Sequence, residues 1–252
     1  MTEILRVEGL HKRFGGIVVS DNVNLTLAAG DILGLIGPNG AGKTSLFNLI
    51  SGVLKPDSGS IFLMGQRVDG IPLYRRARMG IARTWQNMLL FRSMTVLENL
   101  LIGPREYPGE SVLRLTFGFG SVKAHEAEMR ERAMGILTRM GLEQTADSLV
   151  VDLPFGQQKL IGLARTLMND GRLLLLDEPM AGVEGAAYET MQRVVREEAA
   201  AGRAVCVVEH NVSFIRDLCS RGIFMANGKI LSDGSVEELI ASDTLTELYF
   251  GV

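Results

Sequence analysis

The sequence has little of several features that mark whole classes of proteins. Cysteine occurs only twice, at Cys206 and Cys219, so neither a disulfide framework nor a cysteine-based metal site is expected. Neither sign of charge is in large excess, because 26 basic side chains face 29 acidic ones. A near-neutral chain argues against non-specific binding to nucleic acid, which relies on a basic surface. No apolar run approaches the roughly 18 to 20 residues that a membrane-spanning helix needs.

Apolar residues are nevertheless abundant. They make up 46% of the 252 residues, and the mean hydropathy of +0.18 is high for a soluble protein. The first residues, Met1 to Ile4, do not begin a basic segment followed by an apolar one, so no secretory signal is expected. A cytoplasmic globular protein remains. Its apolar content requires a large buried sheet, a surface that a partner covers, or both.

Short apolar stretches alternate with helical ones along most of the chain. Alternating or continuous apolar residues predict strands at 4–8, 17–27, 32–36 and 60–64. The runs Leu173–Leu176 and Ala204–Val208 are apolar throughout, which is typical of parallel strands buried on both faces. Asn227-Gly228 predicts a hairpin. Between residues 94 and 149, apolar residues recur at helical spacing, which predicts a mostly helical lobe inserted into one α/β domain.

A glycine-rich segment follows the predicted strand at 32–36. It reads G-P-N-G-A-G-K-T and fits the phosphate-binding pattern G-x-x-x-x-G-K-[ST] between a strand and a helix. Glycines let successive backbone N–H groups point at phosphates, and the following helix adds its positive end. Such a pattern arises by chance roughly once in a hundred sequences of this length. The candidate nucleotide ligands are Gly37, Pro38, Asn39, Gly40, Ala41, Gly42, Lys43, Thr44 and Ser45.

An acidic pair follows the buried run of four leucines. Asp177 is expected at the carboxyl end of that strand, where ligands of open α/β sheets bind. Its carboxylate suits Mg²⁺, which the hydroxyl of Thr44 would also ligate. Glu178 suits a base that orients an attacking water, and Lys43 would reach the terminal phosphates. Together the two motifs predict an ATPase site, and they leave a kinase, a GTPase or a recombinase-like ATPase open.

Further residues carry a resemblance to a known family. Residues 153–159, L-P-F-G-Q-Q-K, resemble the L-S-G-G-Q signature of ATP-binding cassette (ABC) ATPases. Gln86 stands where that family has its Q-loop glutamine, and His210 where it has its switch histidine. Phe14 stands at the position of the aromatic that stacks on adenine. These markers occur in the family's order and cover nearly the whole chain.

The resemblance implies a fold and a division of labour. The fold would be an α/β P-loop NTPase with a RecA-like parallel-sheet core, an N-terminal antiparallel β subdomain and an inserted helical signature subdomain. One domain, 1–252, would comprise a core lobe (1–93 and 168–252) and a helical signature lobe (about 94–167). Two such subunits would pack head to tail around two ATP molecules, so that Gly156 and Gln157 of one face the nucleotide of the other.

The resemblance also implies the roles of single residues. ATP and Mg²⁺ would be the cofactors, with Thr44, Gln86 and Asp177 at the metal. Catalysis would fall to Lys43, Glu178 and His210.

Two positions depart from the family pattern. Pro154 stands where most relatives have a serine whose hydroxyl reaches the γ-phosphate, and proline offers neither a hydroxyl nor an N–H. Proline suits the first turn of a helix, so the fold should tolerate it. Glu184 stands where an aspartate is typical of the loop that communicates between the two sites. Altered coupling between sites is expected, with activity retained.

A narrower resemblance concerns the subfamily. The segments 12–16, 83–87, 90–99, 155–158, 209–211 and 247–251 are similar to the ATPase subunits of branched-chain amino acid importers. This resemblance implies transmembrane permease subunits, a second ATPase (a copy or a sister chain) and a periplasmic or extracellular substrate-binding protein. The chain would lie peripherally on the cytoplasmic face of the inner membrane and would not bind nucleic acid.

Other functions stay open at this stage. The transported substrate could instead be urea, a short amide or a lipid. A soluble ABC ATPase acting on ribosomes or on DNA repair machinery is disfavoured by the single cassette and the net charge of −3. A nucleotide-gated structural protein with little turnover is disfavoured by Glu178. The apolar residues of 85–94 could form a docking groove for a membrane subunit or simply pack between lobes: Trp85, Met88, Leu89, Leu90, Phe91 and Met94.

Overall fold

A computed structural model describes residues 2–86, 88–105 and 119–241, with only the backbone described at 119–121. The similarity noted at 247–251, and Asn87 within 83–87, lie outside the described residues. Contacts divide the chain into two compact units. The first unit comprises Met1–Gln86, Gly171–Ala181 and Val195–Val252, and the second comprises Asn87–Asp170 and Gly182–Val194.

An antiparallel sheet opens the first unit. Its strands are β1 (Glu3–Phe14), β2 (Ile17–Ala28), β4 (Ser58–Leu63) and β5 (Gln66–Arg67), in the order β2-β1-β4-β5. The strand β1 extends beyond the predicted 4–8. Its register shifts between Val7 and Leu10 and again between Leu10 and Lys12. Each shift interrupts the alternation of apolar residues from which a strand is read.

A second, largely parallel sheet carries the core of the same unit. Its strands are β3 (Ile32–Ile36), β6 (Ile81–Arg83), β7 (Leu173–Asp177), β8 (Ala204–Val208), β9 (Arg221–Ala226) and β10 (Lys229–Ser235), in the order β10-β9-β3-β8-β7-β6. Only the β9–β10 pairing is antiparallel. Every residue of β7 and β8 is buried, as expected for central strands covered on both faces. The predicted α/β fold with a parallel core is confirmed.

Short helices complete the first unit. They are α1 (Lys43–Ser51), α2 (Leu73–Arg78), α7 (Val212–Leu218) and α8 (Val236–Ile240). The helix α1 ends at Gly52, whose φ of 86° places it in the left-handed conformation that terminates helices. On the core side of α1, Leu46, Phe47, Leu49 and Ile50 are almost completely buried, and they anchor this helix behind the glycine-rich segment.

The second unit is helical where the structure describes it. It contains α3 (Val96–Leu101), α4 (Phe119–Arg139), α5 (Phe155–Leu167) and the start of α6 (Ala186–Ala200), with 3₁₀ turns at Glu143–Thr145 and Val150–Asp152. A capping box starts α3, in which Thr95 and Glu98 exchange side-chain to backbone hydrogen bonds of 3.2 and 2.8 Å. The predicted lobe limits, 94 and 167, fall inside this unit. Within the described residues, no helix has both the length and the apolar composition needed to cross a membrane.

Candidate functional site

The glycine-rich segment forms a tight loop between β3 and α1. Gly37, Gly40 and Gly42 have φ angles of 151°, 80° and 103°, which other residues rarely adopt. A Cβ at Gly37 would collide with the carbonyl oxygen of Met225, and one at Gly42 with that of Val19. The loop is therefore held from both sides by neighbouring strands, and glycine is required where they approach it.

Lys43 begins α1 and is 5% exposed. Its Nζ donates to the carbonyl oxygens of Gly37 and Pro38, at 2.6 and 2.9 Å, so the ammonium group lies inside the curve of the loop. Burial lowers the pKa of Lys43, and the negative charges of Glu178 and Asp177 oppose that shift. The next residue, Thr44, is exposed in the first turn of α1. A cation and a hydroxyl are thus placed together beside a loop of the phosphate-binding shape.

The remaining predicted residues of the first unit converge because of the sheet order. The strands β3, β8, β7 and β6 are parallel neighbours, so their carboxyl ends share one edge of the sheet. The phosphate loop follows β3, His210 follows β8, Asp177 ends β7 and Gln86 follows β6. Four segments that are distant in sequence therefore meet where ligands of open α/β sheets bind.

Asp177 is 2% exposed, and its two carboxylate oxygens have different surroundings. Oδ2 accepts a hydrogen bond of 2.8 Å from Nη2 of Arg83. Oδ1 is buried and has no hydrogen-bond partner among the described residues. A buried carboxylate oxygen without a partner is costly unless a ligand supplies one. This oxygen and the hydroxyl of Thr44 are hard oxygen donors of the kind that Mg²⁺ prefers.

Glu178 is bound by two side chains from the neighbouring loops. Gln86 Nε2 donates to Glu178 Oε2 at 2.9 Å, and His210 Nε2 lies 3.0 Å from Glu178 Oε1. An ionised carboxylate only accepts hydrogen bonds, so a hydrogen bond to ionised Glu178 requires the tautomer of His210 with the proton on Nε2. Glu178 has a positive φ of 48°, an uncommon conformation for a residue with a side chain. Glu178 is thus in direct contact with both of the other side chains predicted to act around the attacking water.

Two residues that the sequence analysis did not single out support this arrangement. Arg83 bonds Asp177, as described above. Glu209, 2% exposed, accepts hydrogen bonds from the backbone N–H of Met180 (2.6 Å) and of His210 (3.2 Å). Burial raises the pKa of Glu209, while these backbone hydrogen bonds oppose the shift. Both residues lie within the recognised segments 83–87 and 209–211, and that position was the available signal.

Phe14 lies at the end of β1, at the tip of the β1–β2 hairpin. Its side chain is 48% exposed, and Nζ of Lys12 lies 5.3 Å from the ring centroid. The hairpin is fixed to the loop before β4, because Asp57 accepts hydrogen bonds from Lys12 Nζ (2.7 Å) and from the backbone N–H of Arg13 (2.8 Å). The ring is therefore available to stack on a planar ligand.

Gly156 and Gln157 belong to the second unit, in the first turn of α5. Pro154 precedes that helix and makes no side-chain capping bond. Gly156 is close-packed, because a Cβ there would lie 3.1 Å from Cβ of Ala187. Glu184, in the same unit, is exposed. The side chain of Pro154 thus adds no polar group at this helix start, which offers the free backbone N–H groups of its first turn.

Comparison with known proteins supplies the family. The model of the family described as "ABC transporter" matches residues 20–181, more than half of the chain. The chain belongs to the ABC transporter family. It is 33% identical over 249 residues to the high-affinity branched-chain amino acid transport ATP-binding protein LivG of Escherichia coli K12, with 98% of each chain covered. A probable LivG of Archaeoglobus fulgidus is 35% identical, over 99% of this chain and 96% of that protein.

Another ABC relative has a different named role. The lipopolysaccharide export system ATP-binding protein LptB of Acidithiobacillus ferridurans is 32% identical, over 100% of this chain and 98% of that protein. Among solved structures, a nucleotide-free ATP-binding cassette superimposes with a TM-score of 0.85 at 33% identity, covering 98% of both chains. The ADP conformation of another cassette gives 0.86 at 31% identity, covering all of both. The chain is an ATP-binding, ATP-hydrolysing subunit of an ABC transporter, as its motifs predicted.

Proposed function

We propose that Glu178 is the base that orients the attacking water. In this assignment Lys43 neutralises the terminal phosphates, His210 positions Glu178 and the water, and Gln86 links the water to the membrane partner. Phe14 stacks on adenine. The contact of Glu178 with both Gln86 and His210, at 2.9 and 3.0 Å, is the observation that carries this assignment. It supports a hydrolytic role because these three groups together can hold and deprotonate one water.

The residues present also fit Mg²⁺. The unpartnered Oδ1 of Asp177 and the exposed hydroxyl of Thr44 would hold the ion, with Gln86 as a third ligand. Bound there, Mg²⁺ would neutralise charge on the phosphate oxygens. Lys43, Asp177 and Thr44 of this chain place one cation, one carboxylate and one hydroxyl for that purpose.

The second unit would complete the site of another ATPase chain. Gly156 and Gln157 would offer the N-terminal N–H groups of α5 to the γ-phosphate of a head-to-tail partner, either a copy or a sister chain. Pro154 removes the hydroxyl that most relatives supply there. In this proposal the chain is one domain with a core lobe (1–93 and 168–252) and a helical signature lobe (about 94–167). The signature helix of this chain then contributes through its backbone only.

We propose further that the transporter imports branched-chain or related amino acids. The support is that relatives named LivG match almost the full length of the chain. The chain would sit on the cytoplasmic face of the cell membrane, bound to permease subunits that work with a substrate-binding protein.

In this proposal residues 88–94 form the surface that contacts the permease. Leu89 and Phe91 are 59% and 47% exposed. The guanidinium of Arg165 donates to the carbonyl oxygens of Met88 and Leu89, both at 2.8 Å. The amide of Asn99 bonds both the N–H and the carbonyl of Phe91. An apolar surface held on a well-bonded loop suits docking of a partner helix.

The LptB match favours a second candidate, lipid export, because it is nearly as close over the whole chain. The tagged chain, purified from membranes in mild detergent, distinguishes the two. Import predicts that permease subunits and a sister ATPase co-purify, and that vesicles containing the complex take up leucine when ATP and a binding protein are present. Co-purification with subunits that extract a lipid from the vesicles would contradict import.

The Glu178→Gln variant tests the hydrolytic assignment. Its amide keeps the shape but loses the base, so we expect kcat for ATP to fall about 10²- to 10⁴-fold while ATP still binds. The matched control is Glu237→Gln, an exposed carboxylate at the start of α8, which should retain wild-type turnover. Wild-type kcat in Glu178→Gln would show that another group is the base.

A further inference from the structure

Arg83, the last residue of β6, bonds the proposed metal carboxylate and two side chains of α1. Its side chain is 5% exposed. Nη2 donates to Asp177 Oδ2 at 2.8 Å, and Nη1 donates to Asn48 Oδ1 at 2.7 Å and to Ser51 Oγ at 3.0 Å. One guanidinium therefore joins the end of β7 to the helix that follows the phosphate loop.

Aromatic rings complete the surroundings of this guanidinium. Its carbon lies 4.4 Å from the ring centroid of Trp85 and 5.5 Å from that of Phe47. Phe47 belongs to α1 and is fully buried, whereas Trp85 directly precedes Gln86. A planar cation stacked on rings is fixed in direction as well as in position.

The orientation of Asp177 follows from these contacts. A carboxylate can rotate, and its two oxygens are equivalent until a partner distinguishes them. Arg83 takes Oδ2, and the backbone N–H of Asp177 donates to Thr84 Oγ1 at 2.9 Å. Residues 83 and 84 thus fix both the side chain and the backbone of Asp177. Of the two carboxylate oxygens of Asp177, Oδ1 is left without a partner among the described residues, and it is the oxygen assigned to Mg²⁺.

The chemistry of this position requires arginine. Burial lowers the pKa of Arg83 while the bond to Asp177 opposes the shift, and guanidinium remains charged at any neutral pH. The planar fork lets Nη1 and Nη2 bond different partners at the same time. Lysine would keep the charge without the fork, and glutamine would keep a donor without the charge.

We propose that Arg83 is a positioning residue for the metal: it holds Asp177 so that Oδ1 is presented to Mg²⁺, and it couples that orientation to α1 and to the segment bearing Gln86. This inference rests on the proposed role of Asp177 as a magnesium ligand. In the segment Arg-Thr-Trp-Gln (83–86), the arginine then has a role of its own in addition to that of the glutamine.

The test compares Arg83→Gln and Arg83→Lys with the wild-type chain. ATP binding is measured calorimetrically with the metal chelated and then over a Mg²⁺ titration, together with kcat and the melting temperature. We expect the Mg²⁺ concentration for half-maximal ATPase activity to rise about 10- to 100-fold in Arg83→Gln, which is typical for residues that orient metal ligands. Arg83→Lys should fall between Arg83→Gln and the wild type, and metal-free ATP affinity should be unchanged in both. Arg67→Gln, an exposed arginine paired with Asp69 in the other sheet, is the control that should match the wild type.

Two results would overturn the inference. One is a wild-type Mg²⁺ requirement in a folded Arg83→Gln variant, or in Arg83→Lys if the glutamine variant does not fold. The other is an equal loss of metal-free and metal-dependent binding in both variants, which indicates a structural role only. Asp177→Asn separates this inference from the proposed function. If Asp177→Asn leaves the Mg²⁺ requirement unchanged, the assignment of Asp177 is wrong; if it raises the requirement and Arg83→Gln does not, only the role of Arg83 is wrong.

Discussion

The carboxyl edge of the parallel sheet and the start of α5 are the two parts of this chain that we propose to act on nucleotide, and they are built differently. At the sheet edge, Asp177 is held by a side chain of β6, and Glu178 is held by side chains of the loops after β6 and β8. At the start of α5, Pro154 makes no capping bond, and the turn offers only backbone N–H groups. The first region depends on the identity of particular side chains, and the second on the shape of a helix terminus.

This difference indicates where the chain tolerates change. In a hydrogen-bonded network the members strengthen one another, so we expect the removal of one member to weaken the rest. A helix terminus keeps its N–H groups and its dipole whichever residue precedes it. We therefore expect the chain to be active with proline in place of the usual signature serine, and we expect less tolerance at the edge of the sheet.

The largest effect on ATP binding is expected at Lys43. Lys43→Ala removes the buried cation inside the phosphate loop, and a charge-assisted hydrogen bond worth roughly 3 kcal/mol corresponds to about 100-fold weaker ATP binding. Calorimetry with ATP measures this loss. The exposed Lys55→Ala serves as the control and should bind ATP like the wild type. Unchanged ATP affinity in Lys43→Ala would show that Lys43 does not bind the phosphates of ATP.

An intermediate effect is expected at Glu209. Glu209→Ala leaves the N–H groups of Met180 and His210 without their acceptor and releases the loop that carries His210. We expect kcat to fall about 10-fold and the free energy of unfolding to fall by about 1–3 kcal/mol.

Glu198→Ala is the matched control for Glu209→Ala. Glu198 is similarly buried but pairs with Arg203 at 3.1 Å, so its loss should lower stability and leave kcat unchanged. If both variants lose stability and neither loses kcat, Glu209 has no part in arranging the site.

The smallest effect is expected in the second region. Pro154→Ser restores the hydroxyl, and one net hydrogen bond of roughly 0.5–1.5 kcal/mol predicts about a threefold gain in ATP affinity or turnover of the assembled transporter. The melting temperature should change little, because a serine cap and the loss of proline stiffness offset each other to within about 1 kcal/mol. No change in affinity and turnover would mean that the hydroxyl is dispensable here. A hundredfold gain would mean that the backbone alone does not support this site.

The sequence carries the fold and the family markers because their signals are local. Uninterrupted apolar runs predicted β7 and β8, and the glycine spacing predicted the loop before α1. The full length of β1 could not be predicted, because its bulges break the alternation on which the prediction depends. Local signals also do not assign Gly182–Val194 to the second compact unit, because this segment comes after β7 of the first unit.

The supporting residues of the site depend on contacts between distant segments. Arg83 reaches Asp177 only because β6 pairs with β7 in a register that sets Arg83 opposite Leu175. Glu209 reaches Met180 only because β7 and β8 are neighbours whose ends lie side by side. Neither residue type is diagnostic by itself, and no pattern in one sequence specifies which strands are adjacent.

The hairpin turn at Asn227-Gly228 has a consequence for the newly made chain. The N–H of Gly228 donates to the carbonyl of Ala41 at 2.9 Å. The carbonyl oxygen of Met225 occupies the space that a Cβ at Gly37 would need. Ribosomes add about 5–20 residues per second, so the glycine loop waits roughly 10 to 40 s for the segment that shapes it. A nascent chain that ends before this hairpin carries the complete phosphate-binding motif in sequence but lacks its support. The two backbone contacts that shape the phosphate loop therefore form only after residue 228 has been synthesised.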